Sequence, residues 1–256
     1  MRTQRGKTLG IIKVLPESLS ARIAAGEVVE RPASVVKELV ENALDADATR
    51  INVEVRNGGR SLIRVDDDGV GIPSSQVEVA FERFATSKID DRTDLAQIET
   101  LGFRGEALPS IASVSDIEAT SKTMSEASGS RLIIRLGQPD KIEKHGRPQG
   151  TSLFVRNLFQ NVPARMRFLA SQGAEVARIH QMVSRYALIR PDIAFTLNSF
   201  SKSSVSFCVG LYTPSEITIS SPGLHMLMIA KTTALKPVGV KKTWYASSKP
   251  LSNFCN

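Results

Sequence analysis

Cysteine is almost absent. Cys208 and Cys255 are the only two in 256 residues, far apart and without CxxC or Cys/His spacing. That excludes a disulfide framework and a cysteine-based zinc site. Long apolar runs are missing too. Leu9-Gly10-Ile11-Ile12, near a basic start, is too short for a signal-peptide core, and no run approaches membrane-spanning length. The expectation is a cytoplasmic protein with no membrane partner. The three histidines (His145, His180, His225) are scattered, and no GxSxG, HExxH or Rossmann GxGxxG occurs. Arginine stops at Arg190: all 20 lie at or before it, and none occurs in the remaining 66 residues.

That break in composition also explains the charge. The chain carries +7 overall with a pI near 9.6. Residues 200–256 hold six lysines and one acid, whereas residues 1–199 hold 27 basic and 25 acidic residues. The body is close to neutral, so global charge is weak support for nucleic-acid binding. The 41% hydrophobic and 23% charged fractions are ordinary for a globular chain, and the length allows one large or two modest domains.

What is present centres on Pro32 to Ala46. This stretch reads as a helix with Pro at its first turn, where the missing N–H costs nothing. Val35, Val36, Leu39, Val40, Ala43 and Leu44 recur at helical spacing and form one apolar face. Glu38, Asn42 and Asp45 stack as a stripe on the other side. On an arbitrary helix such a stripe is simply a solvated face, so its meaning depends on the motifs downstream of the helix.

A preceding helix is expected over residues 16–30. Ile51–Val55 and Leu62–Val65 read as a hairpin around Asn57-Gly58-Gly59. A helical segment is expected over Ser74–Phe84, followed by a polar, aperiodic span from Ala85 to Glu99 that reads as a mobile loop. Further strands fit Asp116–Ser121, Arg131–Leu136 and Ser152–Val155, and a helix fits Ala174–Leu188. The pattern is mixed, without a strict βαβ repeat.

Two decoys fall away. Arg5-Gly6-Lys7-Thr8 resembles the end of a P-loop, but the required first glycine would be Met1. Asp66, Asp68 and Gly69 imitate a calcium loop, but Arg64 and Ser75 stand where ligands are needed. Three groups survive. In the helical stripe, an Asn carbonyl can complete a Mg²⁺ shell of waters and phosphate oxygens, and a carboxylate one turn away can activate water. Asp67-x-Gly69-x-Gly71 lies at the end of a strand; a carboxylate there can accept from an exocyclic amine, although DxGxG alone fits a plain turn better. Gly102-Phe103-Arg104-Gly105-Glu106-Ala107-Leu108 enters a helix and can aim backbone N–H groups at phosphates.

In this order and spacing, ExxxN, DxGxG and GFRGEAL resemble the GHKL ATPases. Ala24–Asn42, Ala85-Thr86-Ser87-Lys88-Ile89, Gly102–Leu108 and Asn161-Val162-Pro163-Ala164-Arg165 narrow the resemblance to the MutL mismatch-repair family, over about residues 10–198. The resemblance implies an α+β fold: a two-layer sandwich of the GHKL type, with a mixed, largely antiparallel sheet and helices on one face. It implies a GHKL domain over 10–190, with 191–256 as the incomplete start of a second, ribosomal-S5-like domain. The tail is expected to derive from a truncated or frameshifted reading frame.

By position, the resemblance makes Glu38 the general base and Asn42 the Mg²⁺ ligand. Asp67 reads adenine with Gly71 beside the base, and Thr151 reaches the adenine site. Thr86, Ser87 and Lys88 belong to a lid, and Gly102, Phe103, Arg104, Gly105, Glu106, Ala107 and Leu108 wrap the phosphates of ATP. Asp45 holds the helix end. The implied partners are a MutS-type mismatch-recognition protein, a downstream endonuclease and helicase, DNA, and a second ATPase domain that pairs on ATP binding. Hydrolysis is implied to be weak and to act as a switch. Two other readings stay open: another GHKL-class ATPase module, and a non-hydrolysing nucleotide- or DNA-binding fragment.

Overall fold

In the computed structural model the described residues are 28–87 and 105–200, together with the backbone of 208–212 and 216–220. The expected helix over 16–30 lies almost wholly outside them, as do Lys88, Gly102, Phe103 and Arg104.

The central helix, α1 (Pro32–Asp45), forms where the apolar spacing places it. Arg31 is extended, Pro32 occupies the first turn, and Val35, Val36, Leu39, Val40, Ala43 and Leu44 are buried. Asp47 takes a left-handed conformation and Ala48 N–H returns to the Ala43 carbonyl, which ends the helix.

The chain then forms β1 (Arg50–Arg56), a tight turn at Asn57–Gly59 and β2 (Leu62–Asp67). After a long connection come α2 (Ala107–Ser113), β3 (Asp116–Lys122), β4 (Gly129–Arg135), β5 (Gln138–His145) and β6 (Gly150–Arg156). Two helices come next, α3 (Pro163–Phe168) and α4 (Gln172–Ile189), and then β7 (Ala194–Phe200). The backbone of β8 (Cys208–Tyr212) and β9 (Glu216–Ser220) makes a separate antiparallel pair.

β1 to β7 form one sheet in the order β5-β4-β3-β6-β2-β1-β7. Every pairing is antiparallel except β1 with β7, which is parallel. Burial alternates along β1, β2, β6 and β7, so one face carries Ile51, Val53, Ile63, Val65, Leu153, Val155, Phe195 and Leu197 into the core. α1 and α4 cover that face. α4 buries Glu175, Ile179, Val183 and Ala187, four residues apart along one side.

Three expectations need adjusting. Ser74–Phe84 is not a helix: it is a series of turns with one 3₁₀ turn at Val79–Phe81. Its apolar residues do not share a face, since Val77 is buried while Val79 and Phe84 are exposed. Phe84 takes a left-handed conformation. β5 has no counterpart in the sequence reading. Nor does the second-domain assignment describe Ala194–Phe200, because that segment is the parallel edge strand of the main sheet. Its buried Phe195 and Leu197 complete the core beside β1.

Candidate active site

A cavity of about 840 Å³ opens between α1, the end of β2 and the start of α2. Its size falls within the range usual for small-molecule sites, roughly 300–1,000 Å³. From α1 it is lined by Glu38, Asn42 and Asp45 together with Lys37 and Glu41. The β2 end contributes Asp67, Gly71 and Ile72, and β6 contributes Thr151 and Leu153. The far wall holds Thr86, Ser87, Gly105, Glu106, Ala107 and Leu108. The structure therefore gathers residues of all three sequence groups around one space, although they come from separate stretches of the chain.

Asp67 sits at the floor. Its Oδ1 accepts from Gly69 N–H at 3.0 Å and from Thr151 N–H at 3.1 Å. That fixes the carboxyl plane and leaves Oδ2 without a hydrogen bond among the described residues. Burial pushes its pKa up to about 6, against the opposing pull of those two N–H groups and of the Arg147 guanidinium. Its neighbour Asp68 behaves differently. Oδ1 accepts from the N–H groups of Thr49 and Arg50, and Oδ2 from Thr49 Oγ1 and Arg50 Nε, all at 2.8–3.0 Å. Burial opposes ionisation, but these donors outweigh it and draw Asp68 down to about 2. Asp68 ties the loop to the start of β1, so two adjacent carboxylates have separate jobs: one anchors and one faces the cavity.

The loop after Asp67 is held by close backbone contacts. Val70 N–H donates to the Ala46 carbonyl at 2.9 Å, linking the loop to the end of α1. Gly71 has φ +76°, and a Cβ there would lie 2.1 Å from the Lys122 carbonyl oxygen. Only glycine meets both conditions. Ile72 N–H donates to Ser121 Oγ at 2.7 Å, and Ser121 Oγ lies 3.0 Å from Thr151 Oγ1. Across the cavity, Phe84 N–H donates to the Gly105 carbonyl at 3.0 Å. A Cβ on Gly105, at φ +62°, would lie 2.6 Å from the Ala85 carbonyl oxygen.

Sequence reasoning missed three contributors. Ser121 is buried within a strand, where nothing distinguishes a floor residue from any other strand serine. Glu41 reads as one more helix carboxylate, yet it is buried. Its Oε1 accepts from Tyr186 Oη at 2.5 Å and its Oε2 from Lys37 Nζ at 2.8 Å. Tyr186 is 145 residues away in sequence, a contact that no local pattern encodes.

Among the described residues no group of three His, Cys, Asp or Glu side chains could hold a metal ion by itself. A cation that keeps most of its shell as water and ligand oxygens would need one neutral carbonyl here, and Asn42 is the cavity residue that could supply it.

The fold and the cavity together match a known class. The model of the family described as "Histidine kinase-, DNA gyrase B-, and HSP90-like ATPase" matches residues 30–149, and the mixed sheet with helices on one face is the fold of that class. The chain is 52% identical over 191 residues to the DNA mismatch repair protein MutL of Acidobacterium capsulatum and, over the same length, to that of Solibacter usitatus. Each match covers 75% of this chain and 29% of the relative, so the chain spans under a third of their length. Among solved structures, the ADP-complexed MutL ATPase domain of Aquifex aeolicus is 35% identical with a TM-score of 0.57, covering 69% of this chain and 66% of that one. The chain belongs to the MutL family and carries its N-terminal ATPase region.

Proposed function

We propose that this cavity binds ATP with Mg²⁺ and hydrolyses it. The observation that carries the reading is Asp67: a carboxylate locked at Oδ1 by two backbone N–H groups, with Oδ2 left to accept from a ligand amine, opposite the Glu38/Asn42 face of α1. Adenine N6 is such an amine, and Gly71 leaves room for a flat ring against the backbone. Thr151 contributes its N–H to Asp67 and its hydroxyl to the Ser121 pair, so it holds the floor.

Asn42 would hold the Mg²⁺, which when bound offsets phosphate charge. Glu38 takes the proton from the attacking water. Thr86, Ser87 and Lys88 would close over the nucleotide, and Gly102 to Leu108 would wrap its phosphates. The comparison with an ADP-complexed relative supports the nucleotide reading.

Beyond this region the reading rests on the family. ATP binding would pair two ATPase domains and couple a MutS-type mismatch sensor on DNA to a downstream endonuclease and helicase. Hydrolysis would be slow and would reset the switch. The second, incomplete domain expected over 191–256 would begin only after Phe200, since the strand Ala194–Phe200 belongs to the main sheet; most of the residues beyond it lie outside the described ones.

The test is equilibrium binding of a non-hydrolysable ATP analogue with Mg²⁺ to the wild type and to Asp67→Asn. Binding by the wild type that weakens in the variant is expected. No binding by the wild type, or equal binding by both, would remove the adenine assignment.

A further inference from the structure

We propose that Glu41 and Tyr186 are positioning residues for Glu38, acting through Lys37; the proposal rests on Glu38 being the general base. Lys37 Nζ lies 2.8 Å from Glu41 Oε2 and 3.3 Å from Glu38 Oε1. One ammonium is thus shared between two carboxylates, and Glu41 holds it more closely. The division matters because a base that is fully paired with an ammonium is both less basic and sterically occupied.

What sets the division is the orientation of Glu41. Tyr186 Oη donates to Oε1, which leaves Oε2 as the oxygen presented to Lys37. Tyr186 has a rigid mount, since Ile179, Val183 and Ala187 seat α4 in the core. Burial and the Glu41 carboxylate push the Tyr186 phenol well above its ordinary pKa, so it remains a donor. Burial works against the Lys37 ammonium, but Glu41 and Glu38 outweigh it and raise its pKa. A tyrosine that only stapled α4 to α1 could donate to any acceptor on the helix. Here the acceptor is the carboxylate that, among the described residues, shares the Lys37 ammonium with Glu38.

The experiment compares ATP turnover, by phosphate release from Mg²⁺-ATP, with the affinity for adenylyl imidodiphosphate in the full chain. Tyr186→Phe and Glu41→Gln are each expected to lower kcat about tenfold, the order of a lost bond to a charged group, with analogue affinity unchanged. Combined, they should cost no more than the larger single loss. The decisive variant adds Lys37→Met to Glu41→Gln. If Glu41 acts by keeping the ammonium off Glu38, removing the ammonium restores turnover lost in Glu41→Gln.

Failure of that rescue, or normal kcat in Tyr186→Phe with only a lowered Tm, overturns the proposal. Glu38→Ala separates it from the underlying reading. Lost turnover there with normal turnover in Tyr186→Phe leaves the base in place and removes the positioning role. Normal turnover in Glu38→Ala removes both. Should Glu41→Gln fail to fold, Tyr186→Phe alone decides, because it deletes one oxygen and leaves the ion pair.

Discussion

Asp67 keeps a proton at a pH where an ordinary aspartate has lost it. Its pKa of about 6 means the carboxylate that would accept an adenine amine is present above that pH and lost below it. Protonated, Oδ2 becomes a donor facing another donor. Analogue affinity should therefore be steady near pH 7.5 and fall as the pH drops through about 6 towards 5. In Asp67→Asn, Oδ1 can still take the two N–H bonds, but an NH₂ replaces the free acceptor. The variant should bind roughly ten- to a hundredfold more weakly, with no pH dependence in this window, since an unpaired buried polar contact costs about 1–3 kcal/mol. Wild-type affinity that is flat from pH 5 to 7.5 would exclude this role. Glu38→Ala should retain analogue binding and lose roughly 10²–10⁴-fold in turnover, the usual worth of a positioned base. Both residues stand out in the sequence through the order and spacing of the family's motifs, since the helix stripe alone reads as a solvated face and DxGxG alone as a plain turn. Glu41 and Ser121 are not, because what distinguishes them is a contact made by folding: Tyr186 for one, Ile72 N–H for the other.

Elements were legible where burial imposed a period. α1 and α4 present apolar stripes, and β1, β2 and β6 alternate, so each could be read to within a few residues. β5 could not. It is an edge strand exposed over almost its whole length, paired only with β4 and studded with Asp140, Lys141, Glu143 and Lys144. Charges of both signs on an edge discourage further pairing and also erase the apolar signal of a strand. Ser74–Phe84 failed in the opposite sense: it has apolar residues, but they point in different directions. Burial rather than apolarity thus decides what a helix residue is worth, and α4 supplies the test. Ile179 is fully buried and Ile189 is 71% exposed on the same helix. Ile179→Ala should destabilise the protein by about 2–5 kcal/mol through lost transfer energy and the cavity left behind. Ile189→Ala should stay within about 0.5 kcal/mol. Urea unfolding distinguishes them; equal losses would mean that the two positions do not differ in burial as described.

At the scale of the whole molecule, the question is where the folded unit ends. Family resemblance suggested a boundary after residue 190, at the point where arginine disappears. The sheet argues for a later one. β7 runs parallel to β1 from Ala194 to Phe200, reached through α4, and a parallel neighbour requires such a crossover. A crossover partner cannot be recognised from a seven-residue segment alone, which is why the family resemblance places this strand at the start of a second domain. Its removal would strip Phe195 and Leu197, both fully buried, from the core and leave the hydrogen-bonding edge of β1 unpaired. Burial of two such side chains contributes about 1.5–3 kcal/mol each, a large part of the 5–15 kcal/mol typical of a whole domain. A chain shortened to end at residue 200 should therefore unfold cooperatively and bind the ATP analogue as the full chain does. One shortened to end at residue 190 should lose cooperative unfolding and, with it, binding. Thermal unfolding monitored by circular dichroism, with analogue titration, checks both. If the shorter chain folds and binds, β7 is dispensable and the boundary belongs before it; if the chain ending at 200 fails, the segment containing β8 and β9 belongs to the same folding unit.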